Sequence, residues 1–373
     1  MGFRPFFLFA SAWAALAAPI WVASYAGLLP EERFTRDWHV HEMLFGYLGG
    51  VIGGFLLTAV PNWTGRLPVA GASLASLFAL WVAGRFAMVF ERELGLAAAI
   101  ADSAFLFALA AVIACEIIAG KNTRNIPVSA LVTVLAFANV LSHADHAAVA
   151  LLGERIGLGV VAMLVTLIGG RIVPSFTRNW MAKRQMTPAP APTDRFDFAV
   201  LIVTALALLV WIVAPHMAAA GAALTTAGLL NVLRLARWRG WRTSAEALVL
   251  VLHAGYLWLA IGLALLGASL LAPTIVPAPA GVHALTAGAF GAMTLAVMTR
   301  ASLGHTGQPL TAPTFVKLIY LLVNAAAAVR TLSPFFAEHY ASLLAIASLL
   351  WSGAFATFVA VYAPLLLRPR ASG

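Results

Sequence analysis

Long apolar stretches separated by short polar breaks dominate the chain. Runs of roughly 18–25 apolar residues match the length that a helix needs to cross a hydrocarbon layer about 30 Å thick. The breaks contain prolines, glycines and charged residues, which are typical of turns. The pattern predicts an all-α polytopic membrane protein with helices at about 5–29, 39–60, 69–90, 95–118, 127–147, 154–176, 196–214, 217–237, 245–268, 281–300, 310–332 and 337–367.

Composition excludes a soluble globular protein. Hydrophobic residues make up 62% of the chain and charged residues only 10%, whereas a soluble domain carries about 25% charged residues. We therefore expect a single integral membrane domain over residues 1–373, with membrane lipid as its surroundings. Cys115 is the one cysteine, which excludes an internal disulfide framework and a cysteine-based metal cluster.

The positive charges predict the orientation of the chain. If the first terminus is cytoplasmic and the spans alternate, 15 lysines and arginines fall on the inner side and 5 on the outer side. This excess follows the positive-inside rule and places both termini in the cytoplasm. The net charge of +9 therefore reports membrane topology and does not indicate a nucleic-acid partner.

The histidines are concentrated on the predicted outer side. Seven of the nine lie there, together with several carboxylates. Histidines also occur at membrane interfaces without a chemical role, but ionisable groups near the bilayer are costly and favour a functional site. The outer residues that we consider as metal ligands are His39, Glu42, His143, His146 and Glu154.

Helical spacing determines which of these residues can share an ion. His39 and Glu42 are three residues apart and would lie on one helical face, and His143 and His146 have the same spacing. Each pair could chelate copper, zinc or iron, which imidazole ligands suit. His39 and His41 are two apart, so they point about 200° away from each other and cannot bind one ion from a regular helix.

Three of the predicted spans align without gaps. The segments that begin at His41, Glu154 and His283 share small residues at equivalent positions and a threonine near the inner end. Because these spans are four apart, the alignment predicts three four-helix repeats around a pseudo-threefold axis, at 1–120, 121–243 and 244–373. Small residues are also what close helix packing needs, so they could align without a repeat.

Several motifs together resemble the NnrS family: "GFRPFF", "WHVHEMLFG", "GFLLTAVPNWTGR", "LHAGYLWL" and "MTRASLGHTGQPL". The resemblance implies a bacterial inner-membrane protein that carries haem and copper and is linked to nitric oxide stress and denitrifying metabolism. The twelve-helix, threefold plan is similar to that of haem-copper oxidase core subunits. The sixth span departs from those oxidases because it offers Glu154 in place of a histidine.

Five residues are candidates for binding the cofactor. His41 and His283 occupy equivalent positions in the proposed repeats and are the first choice as haem or metal ligands. His253 lies about 12 Å into span 9 and is a candidate axial haem ligand, or a neutral buried histidine bonded to the backbone. His305 and Arg300 lie near the inner end of span 10, where they could bind haem propionates or simply reach the interface.

Two classes of function fit these features. The first is a haem-copper protein that protects against nitric oxide stress by binding or transforming nitric oxide or a derived species. The second is a transporter or a haem- or metal-handling protein that gathers metal at the outer histidines, although transporter repeats usually number two. A helical scaffold with interfacial histidines is a third interpretation. The sequence defines neither a reaction nor a redox partner.

Overall fold

Twelve helices long and apolar enough to cross a membrane form the computed structural model, which describes residues 1–368. No β-strand occurs within that range, so the prediction of a multi-pass all-α protein is confirmed. The twelve spans, numbered in chain order, are Phe3–Tyr25, Arg36–Thr64, Gly71–Val89, Leu96–Ala119, Thr123–Ser142, Ala147–Ala182, Arg195–Val213, Ala218–Arg237, Ala247–Leu271, Ala278–His305, Thr314–Phe335 and Ala337–Leu367.

The chain forms two compact units. The first comprises Met1–Val160 and the end of the chain from Tyr362, and the second comprises Val161–Val361. The division falls within spans 6 and 12, so spans 1–5 belong wholly to the first unit and spans 7–11 to the second. It does not coincide with the three repeats expected from the sequence, and the pseudo-threefold arrangement stays a prediction.

Span 2 begins with an N-capped turn, and its helix then changes from α to π geometry. The Thr35 hydroxyl accepts a hydrogen bond from the Trp38 backbone N–H at 3.1 Å, which satisfies one of the unpaired donors at the helix start. From Glu42 to Tyr47 the helix adopts π geometry, a feature often found at functional sites. Because a π turn holds an extra residue, it changes the direction in which the following side chains point.

Two further π segments occur, at Val165–Gly169 and Ala284–Phe290. In the gapless alignment of spans 2, 6 and 10, the π segment of span 2 directly follows His41 and that of span 10 directly follows His283. The π segment of span 6 begins later, eleven residues after Glu154. The similarity of spans 2 and 10 therefore extends to their backbone geometry, whereas span 6 differs.

Span 5 ends five residues earlier than the sequence predicts, and this changes one candidate site. The helix stops at Ser142, and span 6 begins already at Ala147. Gly153 packs so closely on span 5 that an added Cβ would lie 2.6 Å from the Ala138 carbonyl oxygen, which requires an early reversal of the chain. His143 and His146 thus lie in a turn rather than on one helical face.

A buried polar network ties together spans 7, 8 and 9 of the second unit. The Arg234 guanidinium donates to Asp197 Oδ1 at 2.8 Å and to the Tyr256 hydroxyl at 2.9 Å. Tyr256 in turn donates to Asn231 Oδ1 at 2.7 Å. All four side chains are buried, so their hydrogen bonds satisfy groups that water cannot reach.

Candidate metal centre

Asp102 of span 4 is the centre of a buried cluster in the first unit. Its Oδ2 atom lies 3.1 Å from His41 Nε2 of span 2 and 3.1 Å from His143 Nε2 at the end of span 5. The imidazole rings of the two histidines are 4.8 Å apart between centroids. Asn139 donates to the same Asp102 oxygen at 2.8 Å. Three spans therefore bring two imidazoles and one carboxylate to a single point.

Each histidine also contacts a second carboxylate through its other ring nitrogen. His41 Nδ1 lies 3.2 Å from Glu42 Oε1, and His143 Nδ1 lies 3.6 Å from Glu91 Oε1. Both imidazoles are thus held between carboxylates and share Asp102. Such an outer carboxylate is a common partner of a metal-ligating histidine, because it fixes the ring orientation and the tautomer.

Arg85 of span 3 holds the two buried carboxylates in place. Its Nη1 atom donates to both oxygens of Glu42 at 2.8 and 2.7 Å, and its Nη2 atom donates to Asp102. The Trp13 indole donates to Glu42 at 2.6 Å from span 1. Gly46 makes room for this arrangement, because a Cβ at that position would overlap the Arg85 guanidinium.

The buried part of the cluster contains two carboxylates and one guanidinium. Glu42 and Asp102 have fully buried side chains, and Arg85, which is 7% exposed, supplies one compensating positive charge. One further positive charge, on a protonated histidine or on a metal ion, would balance the two carboxylates. An unpaired charge in a low-dielectric interior is costly, so the site favours an added cation, either a proton or a metal ion.

The spacing of the ligand atoms suits a metal ion. The nearest nitrogen and oxygen atoms of His41, Asp102 and His143 all lie within 4.8 Å of one another. Ligands bound at about 2.0–2.2 Å to one ion lie roughly 2.9–3.5 Å apart, and both distances to Asp102 Oδ2 fall in that range. Imidazole and carboxylate donors fit copper, zinc or iron, so the donor set agrees with copper.

His143 lies just outside the end of span 5, where the surroundings favour a positive charge. Burial opposes protonation, but the hydrogen bond to Asp102 and the nearby Glu91 carboxylate outweigh it and raise the pKa of His143. The same negative surroundings that stabilise an imidazolium would attract a metal cation.

The profile described as "NnrS protein" matches residues 1–370, essentially the whole chain. The chain belongs to the NnrS family. Membership makes it a membrane protein related to nitric oxide stress, in a family associated with haem and metal binding. A comparison with curated proteins gives no match.

Only some of the outer residues that the sequence of this NnrS protein predicts as metal ligands belong to the cluster. His39 stacks on Trp21 with ring centroids 4.2 Å apart, while Glu42 turns to Arg85, so these two do not form a shared site. His146 is exposed in the turn after span 5 and does not pair with His143. Glu154 forms a two-pronged ion pair with Arg36, at 3.0 and 2.8 Å.

Two of the predicted haem ligands, His41 and His253, lie against protein groups in this structure. Both ring nitrogens of His41 face protein groups, namely Glu42 at Nδ1 and the side-chain oxygens of Asn139 and Asp102 at Nε2. At His253, Nε2 lies 2.8 Å from the Thr177 hydroxyl, and Gly240 packs so closely on the ring that a Cβ there would overlap it. The assignment of haem to His41 or His253 stays a prediction.

A backbone carbonyl orients the ring of His283, the other first-choice ligand. Its Nδ1–H donates to the Pro279 carbonyl at 2.7 Å, so in the neutral imidazole Nε2 carries the lone pair. His283 is only partly exposed and lies in the second unit. Arg300 stacks on Phe176, with its guanidinium carbon 4.0 Å from the ring centroid, and His305 is exposed at the end of span 10.

Sequence reasoning did not select Asp102, Arg85 or Asn139 as site residues. Asp102 and Arg85 are charged residues within predicted apolar spans, and such residues are rare and usually functional. That signal was present in the sequence, but their partners lie on other spans. Spacing along one helix cannot detect a site assembled from spans 2, 3, 4 and 5.

Proposed function

We propose that this NnrS protein is a haem- and copper-containing protein of the bacterial inner membrane that protects the cell against nitric oxide stress. In this proposal copper binds His41, Asp102 and His143, and nitric oxide or a derived species is its small-molecule ligand. Haem uses His283. Both termini lie in the cytoplasm, as the distribution of lysine and arginine predicts.

The observation that carries the proposal is the shared Asp102 oxygen, 3.1 Å from a ring nitrogen of each histidine, in a cluster where one guanidinium serves two buried carboxylates. Bound copper would supply a redox-active centre that can bind a small diatomic ligand. The protein would hold the ligands rigidly, because Glu42 and Arg85 orient His41 and Asp102 through buried hydrogen bonds.

Metal analysis of purified variants tests this assignment. We expect His41→Ala and His143→Ala each to lower the copper content per protein at least about tenfold, because each removes one of three ligands and loss of even a supporting group commonly costs 10–100-fold in affinity. His146→Ala is the matched control and should keep its copper, since His146 is exposed in the turn. Equal copper in all three variants would exclude the site.

A growth assay connects the site to the stress response. Cells in which the His41→Ala or His143→Ala variant replaces the unchanged protein should be as sensitive to a nitric oxide donor as cells without the protein. The comparison requires that the variants reach the membrane at normal levels. Cells with the His146→Ala variant should grow like those with the unchanged protein.

A further inference from the structure

Glu91 and Glu42 hold equivalent positions around the two histidines but differ in exposure. His41 lies between Glu42 at Nδ1 and Asp102 at Nε2, and His143 lies between Glu91 at Nδ1 and the same Asp102 oxygen. The Glu42 side chain is 0% exposed, whereas that of Glu91 is 45% exposed. One carboxylate is therefore sealed inside the cluster, and the other faces the solvent.

We propose that Glu91 is the carboxylate that captures the metal cation from the outer side and passes it to the centre through His143. This inference rests on the proposed function, because it concerns the loading of the same copper site. The cation would first bind Glu91 Oε1 and His143 Nδ1, an oxygen and an imidazole nitrogen that both suit Cu²⁺. It would then move to His143 Nε2, Asp102 and His41.

Exposure supports this route. The other members of the cluster are at most 7% exposed, namely His41, Glu42, Arg85, Asp102, Asn139 and His143. Glu91 is thus the one group of the cluster that a hydrated ion can contact before losing most of its water. Negative charge at such a position also raises the local concentration of cations and speeds their association.

The surrounding loops keep Glu91 directed at His143. Glu91 begins the short helix Glu91–Leu94, and Arg33 from the connection between spans 1 and 2 donates to the Val89 carbonyl just before it, at 2.6 Å. The nearby cations pair with other carboxylates: Arg33 with Glu93, and Arg92 with Glu32 at 2.9 Å. The positive charges of Arg33 and Arg92 are therefore largely balanced by Glu93 and Glu32, and they repel a cation at Glu91 only weakly.

Copper loading kinetics test the role of Glu91. Metal-free purified protein is mixed with Cu²⁺ ions at fixed ionic strength, and quenching of tryptophan fluorescence is followed in a stopped-flow instrument, with copper content measured at the end. With Cu²⁺ in large excess, we expect Glu91→Gln to slow loading about tenfold or more. The excess Cu²⁺ should still bring the final copper content to the level of the unchanged protein, although the loss of this supporting carboxylate weakens binding. Glu91→Asp should restore part of the rate. Glu31→Gln, which changes an exposed carboxylate outside the cluster, is the control.

The outcomes separate this inference from the proposed function. Loading of Glu91→Gln at an unchanged rate would overturn the capture role, even if the copper site itself is present. Faster release with unchanged loading would also overturn it and would mean that Glu91 only orients His143. If the unchanged protein takes up no copper at the cluster, the proposed function itself fails.

Discussion

Replacing Arg85 with methionine should destabilise the first unit by about 3–5 kcal/mol, because breaking a buried ion pair leaves an uncompensated charge. Arg85 is 7% exposed and is the guanidinium that contacts both Glu42 and Asp102. Methionine fills similar space without charge, so the loss of stability reflects the removed electrostatic interaction more than a change in packing. Reversible denaturation of the protein in detergent micelles measures the free energy of unfolding.

The matched control for Arg85→Met is Arg92→Met. Arg92 pairs with Glu32 at 2.9 Å, but both side chains are more than half exposed, and such surface pairs contribute about 0–1 kcal/mol. The double variant Arg85→Met/Glu42→Gln should recover part of the lost stability, since it removes one of the unpaired charges. If Arg85→Met and Arg92→Met lower the free energy of unfolding by the same amount, Arg85 does not balance the charge of the buried carboxylates.

Asp197→Asn should have a comparable effect in the second unit. It leaves the Arg234 guanidinium, whose side chain is 2% exposed, without its anionic partner, and we expect a loss of about 3–5 kcal/mol. Asp194→Asn is the control, because Asp194 is 49% exposed and asparagine is as good a helix N-cap as aspartate. Thermal unfolding followed by circular dichroism compares the two variants.

Copper content provides a second measurement on the Asp197→Asn variant. The network around Arg234 lies in the second unit and the candidate metal centre in the first. The folded fraction of this variant should therefore keep its copper, in contrast to Arg85→Met, which removes a group that positions Glu42 and Asp102. A parallel loss of copper in Asp197→Asn would show that the metal binds elsewhere or that the effect is general unfolding.

The number and order of the spans can be predicted from the sequence because the length of an apolar run determines whether a helix can cross the membrane. Each helix needs about 20 apolar residues to cross the hydrocarbon layer, and that length can be read directly from the chain. The ends of spans are less certain, as the connection after Ser142 illustrates. There the reversal depends on the close packing of Gly153 against span 5, which no local pattern reports.

The site was predicted only in part because it depends on contacts between spans. His41, Glu42 and His143 were candidates from their residue type and predicted side of the membrane, and they do come together. Asp102 was not among the candidates, yet its Oδ2 atom lies between the two histidines. The sequence does not show that the single guanidinium of Arg85 serves both carboxylates, because these three residues lie on different spans.

X-ray absorption spectroscopy of the copper-loaded protein identifies the atoms that bind the metal. We expect a first shell of nitrogen and oxygen atoms at about 2.0 Å and the outer-shell scattering of two imidazoles. In His143→Ala loaded at excess copper, the scattering should fall to that of one imidazole. A sulfur shell at about 2.3 Å, or a spectrum unchanged in both His41→Ala and His143→Ala, would contradict the assignment of copper to His41, Asp102 and His143.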